Sequence, residues 1–242
     1  MVIQQRSEST YTIKAIDNMY TIEATVTKSG HVAAKWIDKI LRSCTPPVVG
    51  LDIEWRPNGS YGNREENPVA VLQLCVGRSC LIFQLLHCDF IPDKLCNFLR
   101  NDRYRFVGVG VREDAQKLLR WYGLDVGSCA DDLRDLAAKK TGRLDMKQWG
   151  LQRLVTEFMG VHMEKPMWVR RSDWGRRVLE PEQIEYAALD AFASFEVGRK
   201  LVDGKVLKNI LEAFQALLRL LFFIVICMVI LSIVFSIFCP VD

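Results

Sequence analysis

The sequence predicts an α/β domain, a mixed β-sheet flanked by α-helices, with a separate apolar helix after it. Three observations carry this. Strand-like apolar runs crowd the first part of the chain and then alternate with helical segments, the order expected of a mixed sheet covered by helices. The 242 residues, 50% hydrophobic and 25% charged, suffice for one domain with a real core. Residues 220–239 carry no charge, and only Ser232 and Ser236 interrupt their apolar run.

The elements follow in order. Residues 11–27 alternate apolar and polar around Asp17-Asn18, a β-hairpin pattern. Ser29 stands where a helix cap belongs, before an apolar face of Val32, Trp36, Ile37 and Leu41. Pro46-Pro47 ends that helix, and Val48 to Trp55 reads as a buried strand. The polar stretch 59–67 is a loop. Val69 to Val76 and Cys80 to Phe83 flank Gly77-Arg78, a second hairpin. Further helices are expected near 92–100, 112–121, 132–139, 150–158 and 181–200, with a strand at 106–109. Pro181 suits a first helical turn, where its missing N–H costs nothing.

Charge excludes several functional classes. All 32 basic residues and 28 of the 29 acids precede residue 220, a net +4 that argues against disorder and against a polybasic nucleic-acid tail. The eight cysteines form no C-x-x-C pair and no zinc-spaced cluster. The polar start MVIQQRSEST lacks the apolar region of a signal peptide. Together these predict reduced thiols in a cytosolic or nuclear setting.

The chemistry lies in carboxylates. Asp52 and Glu54, at i and i+2 on a strand, share one face, and an acidic pair in so apolar a strand calls for a positive partner. Asp114 follows the strand and glycine turn Phe106–Gly110. Tyr186 and Asp190, at i and i+4, share a face of the last helix beside the small Ala187 and Ala188. Each signal has a plainer reading: a solvated strand end, an acid complementing a helix dipole, a mid-helix Asp with a local partner.

In the order D-x-E, G-x-x-x-D, Y-x-x-x-D, these residues resemble the three exonuclease motifs of the DnaQ-like (DEDD) superfamily, and Tyr186 marks the DEDDy branch. The sequence is most similar to the Werner syndrome-like exonucleases. Leu51–Trp55, Pro68–Leu74, Ser172-Asp173-Trp174 and Gln183–Ala191 support the resemblance, which spans roughly residues 30–203. It implies an RNase H-like fold and a metal-dependent 3′-5′ exonuclease that releases 5′-mononucleotides, with DNA favoured. It implies that Asp52, Glu54 and Asp190 hold two Mg²⁺ or Mn²⁺ ions, that Asp114 joins them through a water, and that Tyr186 orients the attacking water. Hard oxygen ligands suit these ions. Ala115-Gln116-Lys117 lacks the Trp that some relatives carry after the aspartate, which makes Trp55 a candidate for base stacking or else core. Arg170 and Arg171, in the basic loop around Asp173-Trp174, are candidate phosphate contacts or a solvated loop. An RNA-preferring, ribonuclease D-like enzyme and a non-catalytic nucleic-acid-binding module tethered to a membrane are the alternatives.

Twenty helical residues span about 30 Å, the hydrocarbon thickness of a bilayer. Lys205, Lys208 and Arg219 precede the run, which favours a cytosolic face for the preceding domain. The expected organisation is a hairpin extension at 1–28, the exonuclease domain at 29–204, a basic connector at 205–219 and a transmembrane helix at 220–239. That arrangement places the protein on a membrane as a tail-anchored chain, or in nucleus or cytoplasm if the tail is not inserted.

Overall fold

The computed structural model describes residues 2–7, 9–16, 18–43, 48–56, 67–127 and 130–202. Eight strands form one sheet: β1 (Val2–Gln5), β2 (Thr10–Ala15), β3 (Tyr20–Thr27), β4 (Val48–Trp55), β5 (Val69–Val76), β6 (Ser79–Phe83), β7 (Arg105–Gly108) and β8 (Ala130–Asp132), in the order β1-β2-β3-β6-β5-β4-β7-β8. The pairs β3–β6, β4–β7 and β7–β8 are parallel and the others antiparallel, so the sheet is mixed. The expected hairpins are β2–β3 and β5–β6. Gly77, with φ +60°, supplies the left-handed backbone of the second turn.

The helices are α1 (Gly30–Arg42), α2 (Asp93–Leu99), α3 (Val111–Tyr122), α4 (Leu133–Thr141), α5 (Leu151–Met159), α6 (Met167–Arg170) and α7 (residues 181–202). Helix α1 is turned slightly from the expected face: Ala33, Trp36, Ile37 and Ile40 are buried, and Leu41 is exposed. Its cap also differs. The Ser29 side chain makes no capping bond; instead Asp89 Oδ1 accepts from Gly30 N at 2.7 Å, from 59 residues away.

One cysteine reading is corrected. Cys75 and Cys80 stand opposite each other in the β5–β6 register and are joined as a disulfide. A two-residue turn brings cysteines five apart into direct apposition, with Cα atoms 4.2 Å apart. Cys88 and Cys96 are free.

The feature that builds the site is the seating of α7. A Cβ on Gly50 would lie 2.0 Å from Ala191 O and 2.7 Å from Phe195 N, so the helix runs directly over β4. Gly198 meets Val107 of β7 in the same way, at 2.5 Å. Ala187, Ala188, Ala191 and Ala193 of the same helix are wholly buried. Only hydrogen at position 50 allows the approach, and it places Asp190 above the end of β4 that carries Asp52 and Glu54.

The compact unit that holds the sheet ends at Leu201. Among the described residues no helix is long and apolar enough to cross a membrane. The expected span, 220–239, lies outside them, as does the connector 205–219.

Candidate active site

The carboxyl ends of the parallel strands β4 and β7 open side by side, where α/β sheets form crevices. Strand β4 delivers Asp52 and Glu54 to that edge. Strand β7 runs into Gly110, whose φ of +80° turns the chain into α3, and one turn later Asp114 faces the crevice. Gly110 N donates to Asp132 Oδ2 at 2.9 Å, which ties this turn to β8. Helix α7 supplies Tyr186 and Asp190 from above. All five motif residues line a single cleft of about 310 Å³.

Carboxylate oxygens of Asp52, Glu54 and Asp190 lie within 4.8 Å of one another. Asp114 lines the same cleft, 9% exposed, outside this tight trio. Such crowding is costly and the acids register it. Burial first, then the charge of Asp190, push Asp52 up to about 7. Burial and Asp52 push Asp114 up to about 9. Glu54 and Asp190 are raised as well, burial being the main cause for both. Both oxygens of Asp190 are buried, and the Lys165 ammonium stands 2.5 Å from Oδ2. A buried, crowded set of hard oxygen ligands fits divalent cations.

Tyr186 is 6% exposed, its ring against Trp174 at 5.9 Å between centroids. Burial and the neighbouring Asp190 and Glu54 raise its hydroxyl above the ordinary phenol, so it stays protonated at neutral pH. The Ser172-Asp173-Trp174 segment braces it. Trp174 is buried, Gln183 Nε2 donates to Ser172 Oγ at 2.8 Å, and Asp173 pairs with Arg56, just past β4, at 2.9 Å. This segment therefore serves as scaffold.

Of the expected nucleic-acid contacts, Trp55 and Arg170 line the cleft. Trp55 is 38% exposed and carries Lys117 Nζ 3.5 Å from its ring centroid. Arg171 is exposed at the end of α6 and is not among the cleft residues. Sequence reasoning missed Lys165. It enters the cleft from the α5–α6 connection, with Nζ 2.5 Å from Asp190 Oδ2 and 5.0 Å from the Tyr186 ring centroid. Burial works against its charge, but Asp190 and Asp52 outweigh burial and hold the ammonium above the usual lysine range. A lysine in a polar connection, 25 residues from its partner, leaves no periodic signal.

Residues 25–204 match the 3′-5′ exonuclease family. The chain belongs to that family. A 3′-5′ exonuclease of Arabidopsis thaliana is 35% identical over 156 residues, 64% of this chain and 52% of the relative. The mouse bifunctional 3′-5′ exonuclease/ATP-dependent helicase WRN is 34% identical over 165 residues, 68% of this chain and 11% of the relative. This exonuclease-family chain thus spans about half the length of the first relative and a small part of the second. Escherichia coli RNase D has the same fold, with a TM-score of 0.63 at 23% identity over 81% of this chain and 49% of that one. The exonuclease match covers every element of the cleft, from β4 to α7.

Proposed function

We propose that this chain is a metal-dependent exonuclease that hydrolyses nucleic acid from its 3′ end and releases 5′-mononucleotides. The observation that carries the reading is the convergence of Asp52, Glu54 and Asp190 within 4.8 Å, in a cleft shared with Asp114 and Tyr186. Two divalent ions, Mg²⁺ or Mn²⁺, would supply Lewis-acid chemistry in such a site, strengthening water as a nucleophile and offsetting charge on the departing oxygen. Asp52, Glu54 and Asp190 would hold them, with Asp114 completing the set.

The chain's own residues do the rest. Water attacks phosphorus, the P–O3′ bond breaks, and the shortened strand keeps the 3′ hydroxyl. Tyr186, too basic to give up its proton near neutrality, orients the attacking water by hydrogen bonding. Trp55 and Arg170 at the cleft wall suit a base face and a backbone phosphate. Degradation of 5′-labelled DNA and RNA strands with Mg²⁺, Mn²⁺ or EDTA tests the reading, with Asp52→Ala/Glu54→Ala as control. Metal-dependent laddering from the 3′ end, absent from a folded control, is expected, and DNA is the favoured polymer. No cleavage of either polymer by the folded, metal-supplied protein would overturn it.

The twenty uncharged residues 220–239 support a second assignment, a membrane-spanning helix with the nuclease on the cytosolic side of Lys205, Lys208 and Arg219. Retention of the full chain in the membrane pellet after alkaline carbonate extraction is expected. Release into the supernatant would leave a soluble nuclear or cytoplasmic enzyme.

A further inference from the structure

The exonuclease motifs leave one charged group of the cleft without a role. That group is Lys165, in the cleft wall. Its backbone is pinned on both sides. On one, Met163 is buried and its carbonyl accepts from Gln152 Nε2 at 2.9 Å. On the other, the Pro166 carbonyl receives Val169 N at 3.1 Å and Arg170 N at 3.3 Å as α6 begins. Between these anchors the side chain reaches inward to Asp190 Oδ2 at 2.5 Å, against the ring of Tyr186.

A lysine that only neutralised a buried acid would be closed off with it. Here the Asp190 side chain is 1% exposed and the Lys165 side chain 21%, and Lys165 forms part of the cleft wall with Asp52, Glu54 and Asp114. An ammonium has three N–H donors; Asp190 takes one and the Tyr186 hydroxyl lies within reach of a second. The third has the cleft before it, where a phosphodiester anion must approach four carboxylates. A fixed cation at that place lowers the electrostatic cost of the approach and gains strength as charge builds on phosphorus. Arg170 also lines the cleft but is exposed, so it suits strand binding better than the reacting phosphate.

We propose that Lys165 is a catalytic residue of this site, a fixed cation whose remaining N–H donates to a non-bridging oxygen of the scissile phosphate. The inference rests on the exonuclease reading. Lys165 passes no proton in this role. It contributes through position and charge, and chiefly in the transition state, so its loss falls on kcat more than on KM.

The test compares the full chain in mild detergent with its Lys165→Met, Lys165→Gln and Lys165→Arg variants. Turnover of a 5′-labelled single strand is measured beside Mn²⁺ affinity by electron paramagnetic resonance. The two neutral variants should lose kcat by about 100-fold, the scale seen when one preorganised donor is removed, with KM changed far less. Mn²⁺ should bind them as tightly as wild type or tighter, because a cation competing for Asp190 is gone. Lys165→Arg, which keeps the charge, should recover part of the rate. Wild-type kcat in a neutral variant would overturn the assignment. So would Mn²⁺ binding that weakens in step with turnover, since Lys165 would then merely hold Asp190 in place. Should both neutral variants fail to fold, a folded Lys165→Arg chain with no gain over the Asp52→Ala/Glu54→Ala background would overturn it too. A wild-type chain inactive on every strand would bring down the exonuclease reading itself, an outcome distinct from loss of the Lys165 role alone.

Discussion

A methyl group at position 50 would fall 2.0 Å from Ala191 O, against backbone that has no rotamer to yield. Gly50→Ala must therefore lift α7 from β4, and Asp190 moves with the helix. Overpacking of this kind costs about 1–3 kcal/mol. Activity should fall further than stability, at least about tenfold, because a 1 Å displacement of a catalytic group is expensive. Urea unfolding beside turnover, measured well below the melting temperature, checks this; a folded variant with wild-type rate would show that α7 does not set the carboxylate spacing. Tyr186→Phe makes the opposite separation. The ring still packs on Trp174, so the melting temperature should hold within a few degrees, while loss of the hydroxyl costs about 100-fold or more in kcat. An active Phe variant would remove Tyr186 from the water-orienting role.

At the level of elements, the second anchor of the site is the junction of β8 with α4. Asp132 caps α4, accepting from Arg134 N and Nε at 2.9 Å each, and its other oxygen holds Gly110 N at the start of α3. Burial works against its ionisation, but the bonds from Arg134 and Gly110 prevail and hold its carboxyl below the usual range. A depressed carboxyl stabilises the fold above its unfolded pKa and loses that contribution as pH falls through the folded value. Asp132→Ala should accordingly cost about 1–3 kcal/mol at neutral pH and less in acid, and should impair turnover through Asp114 although Asp132 is outside the cleft. A loss of stability independent of pH would sink this account. Cap and site are linked here by a 22-residue reach that sequence does not display. The same limit explains what the sequence left hidden. Both hairpins, β4, α3 and α7 were legible because alternation, glycine turns and i, i+4 pairing are local. Strands β1 and β8 are short and polar, so no periodicity marks them. Asp89 caps α1 from 59 residues away and displaces the role expected of Ser29. The motif carboxylates could be read from order and spacing, but Lys165 could not, because its significance is wholly tertiary.

Across the molecule, the cost of gathering four acids appears as an inverted pH response. Free aspartates titrate near 3.8, whereas Asp52 is pushed up to about 7 and Asp114 to about 9, chiefly by burial. Between those limits the folded chain binds more protons than the unfolded one, and its stability falls as pH rises. Acids with depressed values, Asp132 and the Arg56-paired Asp173, fix the limb below about pH 4, where the sign reverses. In EDTA the protein should thus melt several degrees lower at about pH 8.5 than at about pH 5.5, a direction opposite to ordinary acid denaturation. Asp114→Asn removes one of the titrating groups. It should raise the melting temperature in EDTA at pH 8.5, flatten the slope between the two pH values, and abolish metal-dependent hydrolysis. Saturating Mn²⁺ should restore the wild-type protein at pH 8.5 most strongly, since binding favours the ionised acids and releases protons. Calorimetric melting across pH with EDTA or Mn²⁺ measures all three. A wild-type melting temperature that climbs from pH 5.5 to 8.5 in EDTA would mean that Lys165 and solvent already compensate the acids, and the cleft would no longer call for divalent cations on electrostatic grounds.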